Sequence, residues 1–126
     1  MLIDMARAKG VSAYVGDGLN RWNGVHRLDA ALLYRLALEN ATTGARFHGV
    51  AEGEIAFRDI AEVIGKQLNI PVVSIPPEQA GDHFGWFAGF AAIDCPASAK
   101  ITQERLNWHP THVTLLADME QGSYFI

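Results

Sequence analysis

Apolar and polar positions run in blocks along the chain, and the period changes from block to block. Residues 1–9 place Leu2, Met5 and Ala6 on one side of a short helix, with Gly10 as its stop. Val11–Val15 alternates as a strand does and ends at a glycine loop. Leu28, Ala31, Leu32 and Leu36 then have helical spacing over 28–39, with Leu33 and Leu38 widening the face. Asp29 falls in the first turn, where a carboxylate favours the helix dipole.

Arg46–Ala51 reads as a strand followed by a turn at Glu52-Gly53-Glu54. The clearest helix is 57–68: Phe57, Ile60, Ala61, Ile64 and Leu68 share a face, Glu62 and Lys66 form an i,i+4 pair outside, and Asn69 and Pro71 end it. Pro71–Ile75 reads as another strand, and Pro76-Pro77 opens a helix running to about Phe84. Residues 85–93 are the most apolar stretch, a short helix covers 102–106, and a last one covers 114–121 before Gly122. Without repeats, low-complexity tracts or linkers, this order predicts one α/β domain over 1–126, a small sheet of about three strands with helices packed against it.

Composition narrows the class. At 126 residues the chain is one domain's worth, small for an enzyme that holds its own cofactor. A net charge of −4, a pI near 5.6 and scattered Lys and Arg argue against nucleic acid and anionic membrane as partners. The single Cys95 excludes an internal disulfide and suits a reducing compartment. No apolar run has membrane-spanning length and the first residues lack a signal-peptide pattern, so a cytoplasmic location is the expectation.

Gly16-Asp17-Gly18-Leu19-Asn20-Arg21-Trp22-Asn23-Gly24 is a Gly/Asn-rich loop that delivers the chain into an apolar helix through Val25, His26 and Asp29. A dinucleotide cradle needs a Gly-rich turn between a strand and a helix, so that backbone N–H groups meet the pyrophosphate. Here Arg21 stands where the third Gly belongs, and a polar loop follows where the helix belongs. The segment is similar to the G-D-G…V-H-x-x-D-x-A stretch of extended and atypical short-chain dehydrogenase/reductases, the NAD(P)-dependent epimerase/dehydratase-like family. Phe57-Arg58-Asp59-Ile60-Ala61-Glu62-Val63-Ile64-Gly65 resembles that family's F-R-D-I-A-E-x-I-G helix. Leu106-Asn107-Trp108-His109-Pro110 resembles its closing Leu-(Gly/Asn)-Trp-x-Pro.

The three matches stand in the family's order and span nearly the whole chain. The resemblance implies the C-terminal substrate lobe of a Rossmann-fold protein whose nucleotide-binding half is absent, with Met1 a truncated or alternative start. The family's Tyr-x-x-x-Lys pair has no counterpart: four residues after Tyr14 and Tyr34 stand Gly18 and Leu38, and Tyr124 lies too near the end. The implied activity of a full-length parent is an NAD(P)-dependent oxidoreductase, epimerase or dehydratase, nucleoside-diphosphate-sugar epimerase-like. This chain alone is expected to bind no cofactor and to be inactive. The family's nucleotide-sugar enzymes carry an Arg four residues before the V-H histidine; here that position is Trp22, which points away from nucleotide-sugars.

Candidate site residues follow. Asn20, Trp22, His26, Trp86, Phe87 and Phe90 are the expected substrate contacts, because loops and aromatic walls line substrate lobes. Asp29, Trp108 and Pro110 are expected to be structural, and His26 and Asp29 also suit a helix-entry cap. His109 and His112 lack a third metal ligand, and adjacent Asp82 and His83 point apart on a helix. Cys95 beside Pro96 reads as a buried structural thiol. The partners expected are a small-molecule substrate in the parent and a homodimer or interlobe contact over the aromatic segment. The competing reading is a stand-alone binding or dimerisation module without catalysis; a weaker one is a small ligand-binding protein using the Trp86–Phe90 segment.

Overall fold

A computed structural model describes residues 1–126. Helix α1 (Leu2–Lys9) leads into strand β1 (Ser12–Val15), then β2 (Arg21–Gly24) and helix α2 (Arg27–Asn40). Strand β3 (Glu52–Ala56) runs directly into α3 (Phe57–Leu68), followed by β4 (Val72–Ile75). The remainder is helical: a 3-10 turn at Pro77–Gln79, α4 (Ala80–Phe84), a second turn at Gly85–Phe87, α5 (Ala88–Ala92), α6 (Lys100–Leu106) and α7 (Leu115–Gln121).

The α/β class holds, with the strands arranged differently from the expected three-stranded sheet. There are two separate pairs: β1 beside β4, parallel, and β2 beside β3, antiparallel. The strand expected at Arg46–Ala51 does not form. Of the backbone N–H groups of its first five residues only that of His48 finds a partner, the Thr102 hydroxyl at 2.8 Å. The ladder forms one step later, at the residues expected to turn, because Arg21 and Trp22 lie opposite Ala56 and Ile55. Pairing with a partner strand overrides weak local propensity at these glycine- and charge-rich positions.

Helix α3 organises the molecule because three of its sides find partners. Phe57 joins Ala13, Val15, Phe84, Phe87 and Ala91 in one buried cluster. Ile60, Val63 and Ile64 join Ala6, Ile55 and Met119 in a second. The Ser12 hydroxyl on β1 donates to the Ala61 carbonyl of α3 at 2.7 Å, which satisfies a buried polar group where strand and helix meet. The expected Glu62–Lys66 pair is replaced: Arg58 Nε reaches Glu62 at 2.9 Å, and Lys66 turns to Glu120 of α7 at 3.6 Å.

Helix α2 buries a different face from the one its spacing selects. Asp29 and Leu33 are buried, with Leu36 and Ala37 packed against the Leu33, Ala99, Leu106 and Trp108 cluster. Leu28, Leu32, Tyr34 and Leu38 stay exposed, Leu38 at 88 %. The helix is apolar on two sides and only one is covered.

Candidate functional site

The loops that leave the carboxyl ends of the parallel strands meet one another. Val15 and Ile75 are register partners at the ends of β1 and β4. The loop after β1 turns at Gly18 (φ 68°), where an added Cβ would lie 2.5 Å from Arg58 Cβ and 2.6 Å from the Tyr14 ring. Only glycine fits that turn. Further on, the Asn20 amide donates to the carbonyls of Ala91 and Ile93, both at 3.0 Å, and ties the loop to the end of α5.

Behind this junction stands a chain of aromatic rings. Trp22 meets Phe57 edge-on at 5.0 Å and Phe87 at 5.7 Å. Phe87 in turn touches Trp86 at 5.6 Å and stacks on Phe90 at 5.7 Å, while Trp86 and Phe90 meet at 6.2 Å. Phe87 is buried, whereas Trp86 is 74 % and Phe90 56 % exposed. Five of the six residues expected to contact substrate therefore gather in one region; Asn20 serves it as a tether, and Trp22 and Phe87 support the two exposed rings. The Trp22 indole N–H is buried there without a hydrogen-bond partner.

Arg21 is committed to structure. Its guanidinium makes a two-pronged pair with Asp94 (Nε at 3.0 Å, Nη2 at 2.8 Å), its backbone N–H adds a third bond to the same carboxylate, and Glu54 lies 3.6 Å away. These bonds hold the Asp94 carboxyl down at about 2. Cys95, expected to be buried, is exposed, and it contributes through its backbone: its N–H donates to the Arg21 carbonyl and its carbonyl accepts from the Asn23 amide at 2.8 Å.

His26 stands apart from the aromatic rings. Its Nδ1 accepts the Leu28 N–H at 3.2 Å and caps α2, and its ring stacks on His112 at 4.6 Å with 8° between the planes. Asp29 does not serve the helix dipole alone. Its buried carboxylate accepts the backbone N–H groups of Thr111 (3.1 Å) and His112 (3.0 Å) and meets His112 Nδ1 at 2.7 Å. Burial pushes the Asp29 carboxyl up, but the bonds from His112 and from the two backbone N–H groups outweigh it, and the net shift is downward. The Trp108 indole donates to the Asp29 carbonyl at 2.9 Å, so one residue of α2 holds the segment around Pro110 on both sides.

A cleft of about 470 Å³ opens beside His26, away from the aromatic rings. Arg27, Glu52, Asp118 and Tyr124 line it. None of these four has a local sequence signal, since they come from α2, β3, α7 and the C-terminal turn. The Glu52 carboxylate accepts the Leu115 N–H at 2.7 Å, and the Tyr124 hydroxyl donates to Asp118, which raises its pKa together with burial. His109 bonds Asn107 Oδ1 at 2.8 Å and His112 bonds Asp29, so the two histidines serve different partners. No group of three or more His, Cys, Asp or Glu is arranged to hold a metal ion. His83 lies edge-on to Phe84 at 4.6 Å, and burial, with the nearby Lys9 charge, lowers its pKa. No helix is long and apolar enough to cross a membrane.

No family model matches the chain, and no solved structure matches it. An uncharacterized protein of Schizosaccharomyces pombe is 51 % identical over 125 residues, which is 99 % of this chain and 42 % of that protein. An uncharacterized protein of Saccharomyces cerevisiae is 48 % identical over 119 residues, 94 % of this chain and 40 % of that protein. The chain thus spans about two fifths of the length of these curated relatives.

Proposed function

We propose that the chain is the substrate-binding lobe of an NAD(P)-dependent reductase, epimerase or dehydratase, equivalent to the C-terminal part of an extended short-chain dehydrogenase. One observation carries this reading: the segments that follow the carboxyl ends of parallel β1 and β4 converge and present Trp86 and Phe90 to solvent. Ligands of open α/β sheets bind outside the carboxyl ends of the strands, and apolar walls with a few polar groups receive small molecules. Trp86 and Phe90 are the contact surface, Phe87 and Trp22 set their position, and Asn20 fixes the loop beside them.

The substrate class is an uncharged, largely apolar carbonyl compound rather than a nucleotide-sugar. An aromatic ring occupies the position of the family's pyrophosphate-gripping Arg, and the neighbouring Arg21 is held by Asp94. NAD(P) would be held by a second lobe, and hydride transfer would wait for it.

Indole N–H resonances test the reading on the chain itself. In a screen of small apolar aldehydes and ketones against one of nucleotide-sugars, the carbonyl compounds are expected to move the Trp86 and Trp22 signals and leave Trp108 still. Shifts confined to nucleotide-sugars, or shifts from carbonyl compounds only around the His26 cleft, would overturn it.

A further inference from the structure

The cleft beside His26 carries charge of both signs, and the two signs do not pair with each other. Arg27, the first residue of α2, lines it together with Glu52 at the start of β3 and Asp118 of α7. The Glu52 carboxylate uses one oxygen on the Leu115 N–H, and the Asp118 carboxylate uses one on the Tyr124 hydroxyl, which leaves Glu52 Oε1 and Asp118 Oδ1 free. The Arg27 guanidinium forms no ion pair, although its charge is felt at the Tyr124 hydroxyl. Opposite charges that line one cleft without meeting leave room for a ligand that bridges them. His26 adds a neutral donor: its Nδ1 accepts the Leu28 N–H, so the ring proton sits on Nε2, which no group of the chain engages.

Close packing fixes the walls. Gly122 turns the chain so tightly that an added Cβ would lie 2.6 Å from the Asp118 carbonyl oxygen and 3.0 Å from the Tyr124 ring. Gly24 lets β2 close on β3 in the same way, since its Cβ would lie 2.9 Å from Ile55 Cδ1 and 3.5 Å from the Glu52 carboxylate. The Arg7 guanidinium donates to the Phe125 carbonyl at 3.2 Å and holds the C-terminal turn against α1.

We infer that this cleft is a second small-molecule site, separate from the Trp86–Phe90 surface, and that it takes an α-amino acid with an apolar side chain. The charges select the class. One guanidinium against two carboxylates leaves the lining net negative, so a dianion such as a phosphate ester would be repelled. A simple amine would satisfy the carboxylates and leave Arg27 unpaired. A zwitterion satisfies both ends, with its carboxylate for Arg27 and the His26 Nε2–H and its ammonium for Glu52 and Asp118. Val25, Val113 and Leu115 complete the lining with apolar surface for a side chain. A volume of about 470 Å³ is in the range of small-molecule sites. No residue is shared with the aromatic surface, so the site stands whether or not the chain serves a reductase.

Amide NMR of the chain tests the site with L-leucine and L-phenylalanine as probes. One or both should give saturable shifts at Arg27, Glu52, Asp118 and Ser123, with a Kd of about 1 mM or below, and leave the Trp86 indole N–H still. Two fragments of leucine set the specificity. Both 3-methylbutylamine, which lacks the carboxylate, and 4-methylpentanoate, which lacks the ammonium, should bind about tenfold more weakly or worse. Arg27→Gln should weaken leucine about tenfold or more without weakening 3-methylbutylamine. Glu52→Gln, whose amide oxygen still accepts the Leu115 N–H, should weaken leucine and spare 4-methylpentanoate. Arg27 is exposed and Glu52→Gln conserves shape, so both variants should keep the Tm of the parent chain. No saturable shift with either amino acid up to about 10 mM would overturn the inference. So would an amine or a carboxylate that binds as tightly as leucine, or unchanged leucine affinity in a folded Arg27→Gln chain.

Discussion

Asp29 is the residue on which the C-terminal third hangs. Removing its carboxylate leaves the Thr111 and His112 N–H groups without an acceptor and frees the His112 ring. Unmade hydrogen bonds of buried groups are expensive, so Asp29→Ala should cost about 3 kcal/mol in urea denaturation. His112→Ala, which spares both backbone bonds, should cost about 1 kcal/mol. The pH dependence has a definite sign. The carboxyl titrates lower in the folded chain than in the unfolded one, so its contribution is complete above about pH 4 and is lost as pH falls through the folded value. Asp94 behaves likewise at the surface: its carboxyl resonance should titrate at about 2, and Arg21→Ala should return it toward the ordinary value of about 3.9. An unmoved titration would show that the Arg21 pair does not persist in solution. Because the pair is exposed, salt should weaken it as well.

At the scale of elements, α3 shows how a helix carries both pattern and constraint. Gly65 lies inside it, where Ala would ordinarily gain about 1 kcal/mol. Here the added Cβ would collide with Val72 Cγ2 of β4 and lie 3.2 Å from the Ile70 carbonyl oxygen. Gly65→Ala should therefore destabilise by about 1–3 kcal/mol in thermal or urea unfolding, and a gain would mean that β4 yields easily. The apolar spacing of α3 was readable from its sequence because its partners match the helical period on every side. Helix α2 misled because two of its faces are apolar and spacing does not say which is covered. The 46–56 region misled more: Arg46–Ala51 has a strand's pattern without a strand's partner, while Glu52–Ala56 has the partner without the pattern. The aromatic site was legible for a simple reason, since 85–93 is a contiguous apolar run. The cleft of Arg27, Glu52, Asp118 and Tyr124 was not, because four distant elements meet only after folding.

For the whole molecule, the decisive question is whether this set of elements offers a place for a dinucleotide. A phosphate cradle needs unspent N–H groups at a helix N-terminus that follows a strand and a glycine turn. After β1 the glycine turn enters β2, not a helix. The helix nearest to that turn is α3, and its first two N–H groups, of Phe57 and Arg58, already donate to the carbonyls of Asn20 and Gly18 at 2.9 Å. Binding a pyrophosphate there would break two backbone bonds and open a turn that only glycine can make. A titration of the chain with NADPH and then NADH, followed through the fluorescence of Trp22, Trp86 and Trp108, should therefore give no saturable quenching at up to about 1 mM, beyond which affinity is too weak to hold a cofactor. The aromatic wall makes this a stringent measurement, because a nicotinamide or adenine stacked on exposed Trp86 would quench it directly. Saturation in the micromolar range would locate a cofactor site on this chain and remove the need for a second lobe to supply one. Its absence, together with quenching in the longer fission-yeast relative, would place the cofactor on the part of that relative that this chain does not match.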